Sequence, residues 1–199
     1  MQFEHLGARP RIDPTAVVAE TAVISGDVEI GPDCQVLHGA VITAEGGPIT
    51  LAACVIVMEN AVIRATSADP VHIGDHTLIG PGATVSGAVI GSEGFLATGT
   101  RVFNGARIGD RCEVRIGAIV HLRTTLPPET VVPIAWIAVG HPFGLYSPDR
   151  HDEIWAAQKE LDFPGYVFGL DRATPDLMVQ LTERYGRSLS RHRQDRRVD

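Results

Sequence analysis

Isoleucine, leucine and valine recur at every sixth position along most of this chain. A first register runs from Ile12 to Ile42, two shorter ones follow, and the last contains eight aliphatic anchors from Ile90 to Val132. The residue two positions before each anchor is usually small, and glycine often follows the anchor. An α-helix cannot hold this period on one face, because six residues advance it by about 600°. The pattern therefore predicts short strands joined by tight turns, three to a coil, with each coil stacked on the next.

The period ends after Val132, so the sequence divides into a repeat unit at 10–135 and a C-terminal segment at 136–199. Residues 136–148 are rich in Pro and Gly and predict a crossing segment. Apolar spacing predicts a helix over 154–161, ended by Pro164, and a second helix begins with an N-cap at Thr174 and continues to about Tyr185. The tail after the second helix holds five Arg and two Asp, and we expect it to be frayed.

Composition and charge exclude several classes of partner. The formal net charge is −7, from 17 basic and 24 acidic residues, which does not suit a nucleic-acid or polybasic membrane surface. No run of 18 apolar residues occurs and the N-terminus has no apolar stretch, so we expect no membrane span and no signal peptide. Cys34, Cys54 and Cys112 are odd in number and widely spaced, which indicates reduced thiols and a cytoplasmic protein.

The six-residue pattern resembles that of the hexapeptide-repeat proteins. The resemblance implies a mainly β fold: a left-handed parallel β-helix of about six to seven triangular coils, followed by C-terminal α-helices. Three stretches also resemble the γ-class carbonic anhydrases, which implies a homotrimer with sites in clefts between subunits. They are AVITAEGGPI at 40–49, VMENAVIR at 57–64 and IGPGATVSG at 79–87.

The zinc ligands of that family do not carry over. Its three zinc-binding histidines fall on Arg64, Pro81 and Ser86. A guanidinium has no lone pair to offer, proline has no donor atom, and a single hydroxyl is a poor zinc ligand. His38 and His121 lie on the two edges that would form the cleft, but about four coils, or roughly 20 Å, apart. We therefore expect no metal and no cofactor.

Counting three hexads to a coil stacks polar residues along two edges of the predicted prism. Two carboxylates facing an arginine there can bind an anionic small molecule or perform acid–base chemistry. The same side chains can equally form a network of inter-subunit salt bridges. The catalytic candidates are Glu59, Arg64 and Ser86, and the candidate ligand contacts are Glu45, Met58, Phe103, Asn104 and Arg115.

Three functions remain open. In the first, a homotrimer without the zinc triad binds a small, anionic molecule between subunits and transforms it by hydrolysis, isomerisation, a lyase reaction or acyl transfer. In the second, it is a non-catalytic trimeric scaffold or assembly protein. In the third, it is a divergent carbonic anhydrase with other ligands, or a hexapeptide acyltransferase using His38 or His121. The sequence leaves open whether the protein is an enzyme.

Overall fold

The computed structural model describes every residue from Met1 to Asp199, and its main body is a parallel β-solenoid. Short strands wind around three faces, and each strand pairs with the strand one turn away on the same face. On one face Val85 pairs with Ile63 on one side and with Val102 on the other. The anchors of the six-residue pattern are thus stacked in columns, as the sequence predicts.

The strands form three sheets, which we call the first, second and third face. The first face contains the parallel strands Gln2–Glu4, Val23–Ser25, Val41–Glu45, Val62–Thr66, Thr84–Ser86, Arg101–Val102, Ile119–Val120 and Ile137–Val139, with antiparallel strands Gly144–Tyr146 and Arg196–Arg197 at its two edges. The second face contains Arg11–Ile12, Val28–Ile30, Ile49–Leu51, Val71–Ile73, Val89–Ile90, Arg107–Ile108 and Thr125–Leu126. The third face contains Val17–Val18, Gln35–Val36, Ile56–Val57, Leu78–Ile79, Phe95–Leu96, Glu113–Val114 and Val131–Val132.

Eight parallel strands on the first face correspond to about eight turns, whereas the six-residue pattern predicts six to seven coils. The additional strands are Gln2–Glu4 and Ile137–Val139, which lie outside the repeat between Ile12 and Val132. They extend the solenoid through backbone pairing, without the hexad anchors that made the other turns visible in the sequence.

The interior of the solenoid combines a large and a small side chain at each strand. Ile79 and Val85 are fully buried, and so is Ala83 between them. Full burial of each large aliphatic side chain contributes about 1.5–3 kcal/mol relative to an exposed position. Repeated over the turns, this pair supplies one continuous apolar core.

Glycine after an anchor serves close packing between turns. A Cβ on Gly80 would lie 2.7 Å from backbone atoms of Leu96 and Ala97 in the next turn. The left-handed turn conformation falls two residues later and does not require glycine: Asp33 and Arg111 have φ of 56°. Glycine after an anchor therefore marks a position where the backbones of two successive turns pack closely together.

The C-terminal segment folds into three helices, none of which has a buried residue. They are α1 at His151–Gln158, continued by a 3₁₀ turn at Lys159–Leu161, α2 at Phe163–Phe168, and α3 at Leu177–Leu189, continued by a 3₁₀ turn at Ser190–Gln194. None of the helices has the length and apolar character needed to cross a membrane.

The helix boundaries differ from the sequence prediction for local reasons. Pro164 lies in the first turn of α2, where a missing N–H costs nothing, and Asp162 caps that helix by accepting from the Gly165 N–H. The next helix begins after Asp176 instead of Thr174, and it continues past Tyr185.

The arginine-rich tail, predicted to be frayed, is instead paired with the other end of the chain. Arg196–Arg197 forms an antiparallel strand beside Gln2–Glu4, and Arg196 forms an ion pair with Glu4. The sequence pattern misses this pairing because its two strands are almost the whole chain length apart.

Candidate functional site

Successive strands of the first face place the polar candidates beside one another. Arg64 pairs in register with Ser86 on one side and with Thr43 on the other. Glu45 lies two residues beyond Thr43 on the same strand, and Asn104, nearly buried, follows the strand Arg101–Val102. Counting hexads thus predicts the relative positions of these side chains.

Five candidates line one cavity of about 570 Å³, which we call the covered pocket. Its solenoid wall includes Glu45, Arg64, Ser86, Phe103 and Asn104, and its roof includes Phe163, Phe168, Leu181, Arg184, Tyr185 and Arg191. The roof comes from the same chain's α2, α3 and the turn after α3, whereas the family resemblance implied a second wall from a neighbouring subunit. The spacing of Leu181 and Tyr185 on one face of α3 is the sequence signal that was available for this roof.

Arg64 is held in the wall of the covered pocket by contacts within its own chain. Its Nη1 donates a hydrogen bond to Tyr185 Oη at 2.6 Å, and its Nη2 lies 3.5 Å from Glu45 Oε1. Arg184 and Arg191 donate to the backbone carbonyls of Gly169 and Ser188. Three guanidinium groups and one carboxylate line this pocket, an excess of two positive charges that favours an anion.

The remaining candidates lie elsewhere on the solenoid. Met58, Pro81 and Arg115 line a separate cavity of about 450 Å³ on the third face, the apolar groove, with Phe95, Ile116 and Ile134 among its other lining residues. Arg115 is paired with Glu113 at 3.1 Å.

Glu59 is exposed and forms no ion pair, so a contact between Glu59 and Arg64 does not occur within one chain. Glu59 lies in the turn before the strand Val62–Thr66, and Arg64 lies inside that strand. The hexad count places these candidates on two edges that would meet only between subunits, and within one protomer they lie on two separate surfaces.

The zinc ion implied by the family resemblance does not fit the residues at the corresponding positions. Arg64, Pro81 and Ser86 offer no imidazole, thiolate or carboxylate, and no histidine lines either cavity. His38 is hydrogen-bonded to Thr21. His121 stacks on Phe103 at 5.5 Å, and burial lowers its pKa.

A second polar group lies where the two ends of the chain meet Glu45. This histidine cluster consists of His5, Glu45, His192 and Asp195. The two imidazole rings stack with centroids 4.4 Å apart, and both are hydrogen-bonded to Asp195, at 2.6 Å for His5 and 2.8 Å for His192. The hydrogen bond with Asp195 raises the pKa of His192. Burial alone would raise the pKa of Asp195, but hydrogen bonds from His192 and His5 outweigh it and lower that pKa.

Neither histidine of this cluster was predicted from the sequence. His5 and His192 are separated by nearly the whole chain, and no motif of ligand spacing connects them. Only the pairing of the two terminal strands brings them together.

Another polar contact fastens α2 to the solenoid. Tyr166 donates to Asp69 Oδ1 at 2.6 Å, and Asn104 donates to the other oxygen of the same carboxylate at 3.2 Å. Burial, followed by the hydrogen bond to Asp69, raises the pKa of Tyr166 to about 12. The tyrosine is therefore a hydrogen-bond donor at neutral pH.

No family model matches the chain, but individual proteins do. It is 26% identical over 124 residues to a mitochondrial γ carbonic anhydrase of Arabidopsis thaliana, a match covering 59% of this chain and 45% of that protein. It is 36% identical over 143 residues to the carboxysome assembly protein CcmM of Synechocystis, covering 65% of this chain and 20% of that protein. The chain thus spans less than half the length of these two relatives.

A solved structure shares the fold. A putative acetyltransferase of Bacillus cereus superposes with a TM-score of 0.63 at 20% identity, covering 84% of this chain and 96% of that one. The chain is thus a hexapeptide-repeat β-solenoid whose sequence is similar to those of γ carbonic anhydrases.

Proposed function

We propose that the covered pocket binds a small organic anion. The observation that carries this proposal is the convergence of Arg64, Arg184 and Arg191 on a cavity with only one carboxylate, Glu45. Charge-assisted hydrogen bonds from guanidinium to carboxylate or phosphate are about twice as strong as neutral ones. Aromatic and aliphatic side chains of α2 and α3 form the rest of the wall, which suits a ligand with an apolar part.

The pocket also contains groups that can act on such a ligand. Arg64 and Ser86 are positioned to hold the anionic group, and Glu45 can accept or release a proton beside it. These roles suit hydrolysis, isomerisation or acyl transfer. We propose no step through zinc, because the residues at the family's zinc positions cannot hold it.

Anion binding is testable by calorimetry with phosphate, sulfate and citrate. Arg64→Gln and Arg184→Gln should each weaken binding about tenfold or more, because a hydrogen bond to a charged group contributes about 1.5–3 kcal/mol. Arg11→Gln is the matched control, since Arg11 is exposed and paired with Asp27 and Glu29 on the second face. Equal binding by all four proteins would contradict the proposal.

We further propose that the protein is a homotrimer. The apolar groove exposes Phe95, Ile116 and Ile134, and a neighbouring subunit packed there would cover them and bring its own edge close to Met58, Glu59 and Arg115. Light scattering should give about 64 kDa, three times the 21.3 kDa chain. Ile116→Asp should shift the protein towards 21.3 kDa, and a wild-type monomer at micromolar concentration would refute the trimer.

We expect carbon dioxide hydration at the background rate. At about 4 Å and an effective dielectric constant near 20, the charge of Arg64 opposes each positive charge of a cation by about 4 kcal/mol. Stopped-flow measurement should show no acceleration for the wild type, and the reverse variant carries Arg64→His, Pro81→His and Ser86→His. Rapid hydration by the wild type that Ser86→Ala abolishes would favour a divergent carbonic anhydrase.

A trimeric scaffold without catalysis is the second candidate. The exposed apolar residues of the third face and the similarity to a carboxysome assembly protein favour it. A trimer that binds none of the tested anions would support this candidate over the first. The three free cysteines fit the cytoplasmic location that we propose for either function.

A further inference from the structure

The histidine cluster fixes the protonation of one nitrogen on each imidazole ring. Asp195 Oδ1 lies 2.6 Å from His5 Nδ1, and Asp195 Oδ2 lies 2.8 Å from His192 Nδ1. An ionised carboxylate only accepts hydrogen bonds, so each Nδ1 atom facing Asp195 at this distance carries a hydrogen. In neutral rings the Nε2 atoms then carry lone pairs.

Both Nε2 atoms face a second carboxylate. His192 Nε2 lies 3.1 Å from each oxygen of Glu45, and His5 Nε2 lies 3.9 Å from Glu45 Oε2. A lone pair against a carboxylate is repulsive unless a proton or a metal ion lies between them. With both imidazoles neutral, the carboxylates of Glu45 and Asp195 exceed the guanidinium of Arg64 by one negative charge, so a metal ion can take the place of that proton.

We propose that the histidine cluster binds a divalent transition-metal ion such as zinc. Its ligands are His5 Nε2, His192 Nε2 and the Glu45 carboxylate, and Asp195 orients the two rings from the far side. Bonds of about 2.0–2.2 Å in a tetrahedral zinc site place ligand atoms roughly 3.3–3.6 Å apart. His192 Nε2 lies 3.1 Å from Glu45, and His5 Nε2, at 3.9 Å, needs only a small side-chain shift to complete the site. A carboxylate behind each metal-binding imidazole is the usual arrangement of zinc sites.

This site is separate from the positions that correspond to the family's zinc ligands. It includes neither Pro81 nor Ser86, and it joins three distant parts of the chain: the N-terminus, the strand Val41–Glu45 and the tail. A bound ion would fasten the tail to the solenoid beside the covered pocket, because Glu45 belongs to both sites. The metal would therefore stabilise the roof of the pocket.

The test is titration of chelator-treated full-length protein with zinc and with cobalt(II). We expect one ion per chain, a raised melting temperature and the visible absorption of tetrahedral cobalt. His192→Gln should abolish stoichiometric binding, and Asp195→Asn should weaken it about 10–100-fold. His192 is about one-third exposed, so its replacement leaves the core intact.

His38→Gln is the matched control and should bind the metal as the wild type does, because His38 is hydrogen-bonded to Thr21 away from the cluster. Ser86→Ala should also retain binding, which separates this site from the family's zinc position. If the wild type binds neither ion at micromolar concentration, the proposal fails. The cluster then serves only to join the tail to the solenoid through hydrogen bonds of protonated histidine. Undiminished binding by His192→Gln would overturn it as well.

Discussion

The solenoid and the C-terminal segment are held by different forces. The core cluster of 34 buried residues lies entirely between Ala22 and Ala138, whereas none of the three helices has a buried residue. The helices are attached through polar contacts such as the one between Arg64 and Tyr185, and by a chain of aromatic rings in edge contact. The strand pattern therefore determines the stability of the fold, while the segment that roofs the pocket is the part most easily opened.

Substitutions in the solenoid core should have the largest effect on the free energy of unfolding. Ile79→Ala should reduce the free energy of unfolding by about 2–5 kcal/mol, and Val102→Ala should act in the same direction, because each leaves a cavity between turns. Chemical denaturation measures the change. Val17→Ala is the control, at a side chain that is 56% exposed. An unchanged midpoint for both core variants would mean that the inward register is wrong.

Hydrogen exchange of the wild type should separate the two regions directly. We expect amides in α1 and α3 to exchange at least about 100-fold faster than those of central strands such as Ile79, because local opening of the helices exposes no apolar core. Mass spectrometry of peptic fragments can resolve the two. Equal protection in both regions would show that they unfold as one unit.

The smallest effect concerns one contact between the regions. Tyr166→Phe removes the hydrogen bond to Asp69, which should cost about 0.5–1.5 kcal/mol locally. Exchange in α2 should rise about 2- to 10-fold while the unfolding midpoint of the solenoid stays unchanged. Tyr146→Phe is the control, because the Tyr146 hydroxyl forms no hydrogen bond within the chain and its ring contact with Arg150 is retained by phenylalanine. A lower solenoid midpoint for Tyr166→Phe would make α2 part of the cooperative core.

The six-residue period was sufficient to predict the solenoid. It located the strands and placed Arg64 beside Ser86, because a strict period fixes which residues stack from turn to turn. It did not reveal the terminal turns, where Gln2–Glu4 and Ile137–Val139 pair through their backbones without hexad anchors.

Only one wall of the covered pocket could be predicted from the sequence. Its solenoid wall follows from the repeat, but its roof depends on how α3 returns across the first face, which no periodicity encodes. Tyr185 and Arg64 are in contact across 121 positions of sequence. The histidine cluster is the extreme case, since His5 and Asp195 are 190 positions apart.

The antiparallel strands at both edges of the first face also bear on aggregation. A parallel solenoid has the same backbone pattern at every turn, so an open end can recruit another copy and extend into a fibre. Gly144–Tyr146 covers one end of that sheet, and Arg196–Arg197 covers the other with two positive charges. The reversal of chain direction at each end makes the edge a poor template for a further parallel turn, so the tail that completes the histidine cluster should also oppose end-to-end pairing along the first face.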